Sequence, residues 1–432
     1  MPPADLQRRL SRARGAVFAL FFTNGALFAN IIPRYPEIKD IFGLSDPVYG
    51  LTVALFPLGA IVSGPLAAVA IRRLSSAVTA VMGTLMIGLS MTIVGAAVMW
   101  RQYLGSGDTN GILSTLAYIL FVVFFFVAGG WDSLTDVGQN AHGLRVQRLV
   151  GRPIINSFHG GWSIGAMTGG LMGSVAVTLG IPLGWHLFGA ALIMAAVGLT
   201  AKCFALPGKD PERGSLDPLL VAPGTTAGGR EVSAIQDDIE ELNVRALPLS
   251  PWLIVAAMTV LSIGGMLVED ATSTWSALYM RDYLHVTGGL AGTAFVTMLA
   301  SQAIGRLTAD WQMARLGPRR TLEVGAGLIV VGMGLAVTFP SVPLTLVGMA
   351  CAGFGCAAMV PIAMNAADDV PGLRPGTGLT VVTWLGRLAF LCAPPLVGII
   401  VEATSLRAAM IVIPLAALVA ALSAQVIASR VR

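Results

Sequence analysis

Runs of about 20 apolar residues recur along this chain, and no other feature limits its fold so strongly. Lipid offers a backbone no hydrogen-bond partner, so a spanning run must satisfy itself as a helix or close into a barrel. These runs are continuous rather than alternating, which excludes a barrel. They place spans near 15–33, 48–71, 76–100, 112–141, 154–181, 184–206, 251–279, 289–309, 321–339, 342–366, 377–400 and 405–428. The expected fold is an all-α membrane protein with twelve transmembrane helices. Charged residues make up only 12% of the 432, where a soluble chain carries about 25%. The net charge of +4 does not imply nucleic-acid binding, because the Lys and Arg fall in short loops. Cys203, Cys351, Cys356 and Cys392 lie in or beside apolar runs without metal-ligand spacing, so no metal and no cofactor are expected. The basic start (Arg8, Arg9, Arg12, Arg14) followed by an apolar run reads as a first helix rather than a cleaved signal.

The spans divide as an N-terminal six-helix bundle over 1–206, a linker over 207–250 and a C-terminal six-helix bundle over 251–432. The linker is rich in Pro, Gly and acid, with a short amphipathic helix expected near 235–244. Segments on one face carry most of the Arg, including Arg72, Arg73, Arg145, Arg148, Arg152, Arg315, Arg319, Arg320, Arg374, Arg430 and Arg432. The other face holds Arg34, Lys39, Arg101, Arg281 and Arg407. The positive-inside rule then puts both termini in the cytoplasm of a bacterial inner membrane protein, expected to be a monomer. Asn140-Ala answers Asn365-Ala at the same separation along the chain as Gly173 answers Gly398, and Gly64 answers Gly305 with a slip of register. Two pseudo-symmetric halves with a site between them at mid-membrane are expected.

Asn140-Ala-His-Gly, Gly151-Arg-Pro and Ser157-Phe-His-Gly-Gly-Trp-Ser-Ile-Gly165 resemble the MosC/YbjJ-like bacterial subgroup of the major facilitator superfamily. Arg34-Tyr-Pro36 and Gly43-Leu-Ser45 are similar to its first outer loop, and Glu269 to Tyr279 to its seventh helix. Gly305-Arg-Leu through Asp310 and Leu316-Gly-Pro318 are similar to its loop after span 8, and Pro394 to Gly398 to its eleventh helix. The resemblance covers nearly the whole chain and implies the major facilitator fold and secondary transport by alternating access. Gly64, Arg72, Gly305, Asp310 and Arg319 would then be gating or loop residues. The chain departs from the pattern at Thr274, where Asp is expected, at Ala68, and at Trp311 after Asp310.

Asp132, Asp136 and Asn140 repeat every fourth residue and so form one polar stripe on a helix. Ionisable groups inside a span each cost about 2.5–3.5 kcal/mol and usually face a bundle interior. A desolvated carboxyl can load and release a proton near neutral pH, so Asp132 and Asp136 are proton-coupling candidates; the alternative is pairing with Arg145 and Arg148. His159 could relay protons with Asp136, and Glu269 and Asp270 are further candidates. Adjacent carboxylates point about 100° apart on a helix, so one of that pair should face the cavity and the other the outer interface near Arg281. Arg387, mid-span and permanently charged, is a counter-ion for Glu269, Asp270 or Asp132, or a ligand for substrate. Asn24, Asn30, Asn140, Trp162, Ser163, Ser273, Asn365 and Trp384 complete the substrate-binding candidates. Gly161, Gly165, Gly169 and Gly170 permit close helix contact, and Trp100, Trp185, Trp252 and Trp275 read as interface anchors.

Together these features imply a proton-coupled transporter of a small polar or amphiphilic solute, with export favoured over import, and not an enzyme. Hydrophobic drug efflux, uptake of an anionic or sugar-like solute, and a non-transporting membrane receptor are the alternatives. The expected partners are the solute, protons and the lipid bilayer.

Overall fold

A computed structural model describes residues 3–105, 111–151, 154–210, 250–368, 370, 373 and 377–427. The first half runs α1 (Pro3–Asn30), α2 (Tyr35–Phe42), α3 (Asp46–Leu74), α4 (Ser76–Tyr103), α5 (Ile112–Val150), α6 (Ile155–Thr178) and α7 (Leu183–Phe204). The second runs α8 (Pro251–Leu278), α9 (Thr293–Leu316), α10 (Pro318–Thr338), α11 (Val342–Cys356), α12 (Met359–Asp368), α13 (Thr377–Ala403), α14 (Leu406–Ala409) and α15 (Val412–Ser423). All twelve expected spans are helical. Most of the linker, its expected amphipathic helix, Arg152, Arg374, Arg430, Arg432 and the side chain of Asp310 lie outside the described residues.

Three elements differ from the sequence expectation. The tenth span is two helices, because Pro361 has no N–H to bond Ala357 O and its ring crowds that carbonyl. Pro414 splits the twelfth span in the same way opposite Met410. The fourth span does not stop near 141 but continues as one helix to Val150, ended by Gly151 at φ 70°. That extension moves Asp136 about 20 Å from the helix end, given a rise of about 1.5 Å per residue. The segment between the first two spans also folds, as the short amphipathic helix α2, closed by Gly43 at φ 62°.

Ten helical segments among the described residues are long and apolar enough by themselves to cross a membrane. The two spans that fall short are α6 and α9, and these pack on each other across the seam between the halves. A helix enclosed by protein and facing a wet cleft needs less apolar surface than one facing lipid. A second long helix contact across the seam is α3 against α13.

Within the first half, α1 and α6 touch backbone to backbone. A Cβ on Gly165 would lie 2.0 Å from Phe22 O and one on Gly169 2.2 Å from Ala26 O. Gly161 and Gly173 extend the same face against Phe18 and Asn30, whereas Gly170 turns to Phe295 and Val296 of the other half. The small-residue repeat thus fixes the angle at which α6 presents His159 and Trp162.

Candidate functional site

A string of polar side chains crosses the seam at mid-bundle. Asn24 on α1 donates from Nδ2 to Asp132 Oδ1 on α5 at 2.7 Å, and accepts Trp162 Nε1 from α6 at 2.8 Å. The Trp162 ring in turn carries the Arg306 guanidinium of α9, 6.0 Å from its centroid. Arg306 Nη2 lies 3.3 Å from Glu269 Oε2 on α8, which also accepts Gln302 Nε2 at 2.8 Å. The Glu269 and Arg306 side chains are 19% and 32% exposed, so the pair is neither dry nor fully solvated. An unpaired carboxylate at that depth would cost about 2.5–3.5 kcal/mol; Arg306 and Gln302 offset that cost.

Further along α5, Asp136 Oδ1 accepts Asn140 Nδ2 at 2.9 Å, and His159 and Arg387 are basic groups near enough to act on it electrostatically. The stripe therefore does not pair with Arg145 and Arg148. Asp132 bonds Asn24, Asp136 bonds Asn140, and the buried Arg145 bonds Pro207 O at 3.2 Å. Gly64 sits within α3, where a Cβ would lie 3.5 Å from Arg387 Nη1 and 3.7 Å from Ser133 Oγ. Arg387 and Trp384 share an exposed face of α13, and His159 is also exposed. Arg387 is not the counter-ion of Glu269, which is taken by Arg306, nor of Asp132, which is held by Asn24.

The end of the cleft away from the termini is sealed. Tyr49 Oη donates to Thr274 O at 2.7 Å, and its ring meets Trp275 edge-on at 5.0 Å. Trp275 is 0% exposed, so it is not the interface anchor expected from sequence. The reason is position: it ends the α8 face turned to the other half, where an aromatic ring closes the seam. Asp270 is buried within the field of Tyr35 and Tyr49, and among the described residues it makes no ion pair with Arg281. Arg281 instead crosses the seam to Asp40, Nη1 to Oδ2 at 2.6 Å. A Cβ on Gly50 would lie 2.3 Å from Pro394 O, and one on Gly398 2.5 Å from Asp46 O. On the side of this closure toward the chain ends, Asp136 is half-buried and His159 and Arg387 are exposed.

Other candidates lie apart. Asn30 is buried in the first half, its Oδ1 2.6 Å from His186 Nε2 and its Nδ2 on Ala26 O at 3.0 Å. Ser163 and Ser273 donate locally, to His159 O at 3.3 Å and Glu269 O at 2.7 Å. Asn365 is exposed on α12 and Arg72 at the end of α3. Gly305 is mid-helix in α9 rather than in a loop, where a Cβ would lie 2.6 Å from Ala357 Cβ. Arg319 binds Glu323 Oε1 at 3.0 Å and also Gln425, tying α10 to the last span. Near the chain ends, Asp210 accepts Ser76 N and Ser76 Oγ, each at 2.6 Å, and His142 Nδ1 lies 3.1 Å from that hydroxyl. His142 Nε2 accepts Leu206 N at 3.2 Å, so the start of the linker is clasped to the mouth of α4 and α5.

Arg306, Gln302, Tyr35 and Tyr49 were not among the sequence candidates. The signal for Arg306 was present: a lone cation in the apolar run from Thr293 to Ala309. It was passed over because the Gly305-Arg-Leu string resembles the loop that follows the eighth span.

Residues 258–430 match the family model of the Major Facilitator Superfamily. An uncharacterized transporter, y4wD, of Sinorhizobium fredii is 26% identical over 97% of this chain and 99% of its own length. Membrane protein MosC of Rhizobium meliloti is 24% identical over 94% of this chain and 88% of its own. Among solved structures, a point mutant of the nucleoside transporter NupG superposes with a TM-score of 0.68 at 12% identity, over 96% of this chain and 99% of that one.

Proposed function

We propose that this chain, a membrane transporter of the major facilitator type, carries a small polar solute by alternating access and couples its movement to protons. The observation that supports this reading is the string Asp132–Asn24–Trp162–Arg306–Glu269, which joins a carboxyl in one half to an ion pair in the other. Rocking of the halves must slide α6 past α9, and Trp162 and Arg306 meet at that contact. A proton on Asp132 removes the charge that Asn24 Nδ2 solvates, which frees Asn24 to turn and alters its hold on Trp162. Protonation on one side and a seam contact on the other thus bear on the same amide. The Arg distribution supports termini in the cytoplasm, which would turn the exposed His159 and Arg387 inward.

In proteoliposomes carrying a pH gradient, a panel of polyols, sugars, amino-sugars and organic anions should reveal solute-dependent proton movement. Asp132→Asn and Arg306→Ala should each abolish it. Solute flux indifferent to the gradient and to both substitutions would overturn proton coupling. A second reading, an anionic solute, is favoured by Arg387, which is exposed at the cleft without a hydrogen bond or ion pair among the described residues. Arg387→Ala would then raise KM for anions and leave neutral solutes unaffected.

A further inference from the structure

Two cavities lie end to end on the flank of the first half, away from the seam, and share part of their lining. One, of about 640 Å³, lies near the chain ends and is lined by Arg8, Arg9 and Arg12 of α1 and Lys202 of α7. The other, of about 730 Å³, runs along the same two helices between Gly15, Ala16 and Ala19 on α1 and Ala196, Val197 and Thr200 on α7. Arg12 and Phe204 line both, so the basic cavity abuts the apolar one.

The local sequence explains this shape. Arg12, Gly15, Ala16 and Ala19 follow the three-and-four spacing of one helix face. Their small side chains leave the space between α1 and α7 unfilled, and a Cβ on Gly15 would meet nothing within 4 Å. The one hydroxyl in the groove, on Thr200, donates to Ala196 O at 2.7 Å, so the groove offers no free donor. At its head, Arg8, Arg12 and Lys202 are exposed. The long apolar stems of such side chains lie along the surface while their charges reach the headgroup level.

We infer that this flank is a binding site for an anionic phospholipid, with its phosphate among Arg8, Arg12 and Lys202 and an acyl chain along Gly15, Ala19 and Ala196. Charge complementarity selects the ligand. Clustered cations at the end of a bundle attract anionic headgroups, and an apolar trough leading from them has no use for a free ion. The site is independent of the solute cleft and of the coupling scheme.

The test uses the full chain, purified in detergent and stripped of lipid, with phosphatidylglycerol and phosphatidylcholine of matched acyl length. Native mass spectrometry should show phosphatidylglycerol retained at least about fivefold over phosphatidylcholine, the scale expected from one cation at an anionic surface. R12E/K202E should erase that preference. Ala196→Phe with Gly15→Leu, which fill the trough and leave every charge in place, should lower retention of phosphatidylglycerol to a similar degree. Equal retention of the two lipids overturns the inference. So does a preference that trough filling leaves untouched, which would be diffuse surface attraction, or thermal stabilisation by inorganic phosphate equal to that by phosphatidylglycerol. If the variants fail to fold, the comparison of the two lipids and phosphate on the unaltered chain decides the matter.

Discussion

Asn24 Nδ2 stands 2.7 Å from Asp132 Oδ1, and the two residues come from helices 108 positions apart in the chain. The contact turns an isolated carboxylate inside a bundle into a group whose charge is shared with an amide that also holds Trp162. Asp132→Asn keeps an acceptor for Asn24 and removes only the titratable charge. The expected outcome is a folded protein that has lost solute-dependent proton movement, checked in proteoliposomes beside a thermal melt. Asn24→Ala should cost about 1–3 kcal/mol by leaving buried partners unbonded, visible as a lower melting temperature.

Arg306→Ala leaves Glu269 with Gln302 alone. For a partly exposed pair, the loss should be about 1–3 kcal/mol, below the roughly 3–5 kcal/mol of a fully buried one. Arg306→Ala with Glu269→Gln should recover part of that stability but no transport. A double-mutant cycle by thermal or denaturant unfolding measures the coupling, and additive effects would show that the two side chains act separately.

Gly50 and Gly165 predict different outcomes for the same substitution. Gly50→Ala drives a Cβ to 2.3 Å from Pro394 O across the seam, so the closed outer side should lose about 1–3 kcal/mol against the open one. That moves a two-state ratio roughly 5- to 150-fold. Spin labels at Val48 and Thr287, after Cys203→Ser and Cys392→Ser, should report a longer distance. Gly165→Ala presses on Phe22 O within one half. It should lower the melting temperature and leave that distance unchanged.

Ser76→Ala removes the hydroxyl that binds both Asp210 and His142. A buried imidazole nitrogen left unbonded costs about 1–3 kcal/mol, so the clasp on the linker's first residues should open more often. Tryptic cutting after Lys209 should speed up roughly 5- to 150-fold, followed on gels with the folded bundle otherwise intact.

Much of the architecture was legible in the apolar runs, since a backbone in lipid has few options; the breaks at Pro361 and Pro414 were not anticipated. The candidate site was legible only in part. Asp132, Asp136, Glu269, His159, Trp162 and Arg387 stood out because charge and amide groups are rare within spans. Arg306 was hidden by its place in a string that resembles a loop motif, and Trp275 by the habit of placing tryptophans at the lipid interface.

By itself, the sequence determined which segments cross the membrane and which of them carry charge, because hydropathy and helical periodicity are local properties of the chain. Only the tertiary structure decided which charge meets which. Asp132 faces Asn24 and Glu269 faces Arg306 because backbone contacts at glycines such as Gly165 and Gly353 set how each helix is turned against its neighbour. A rotation of about 100° would have sent Asp270, not Glu269, into the cleft, and no count of residue types records that angle.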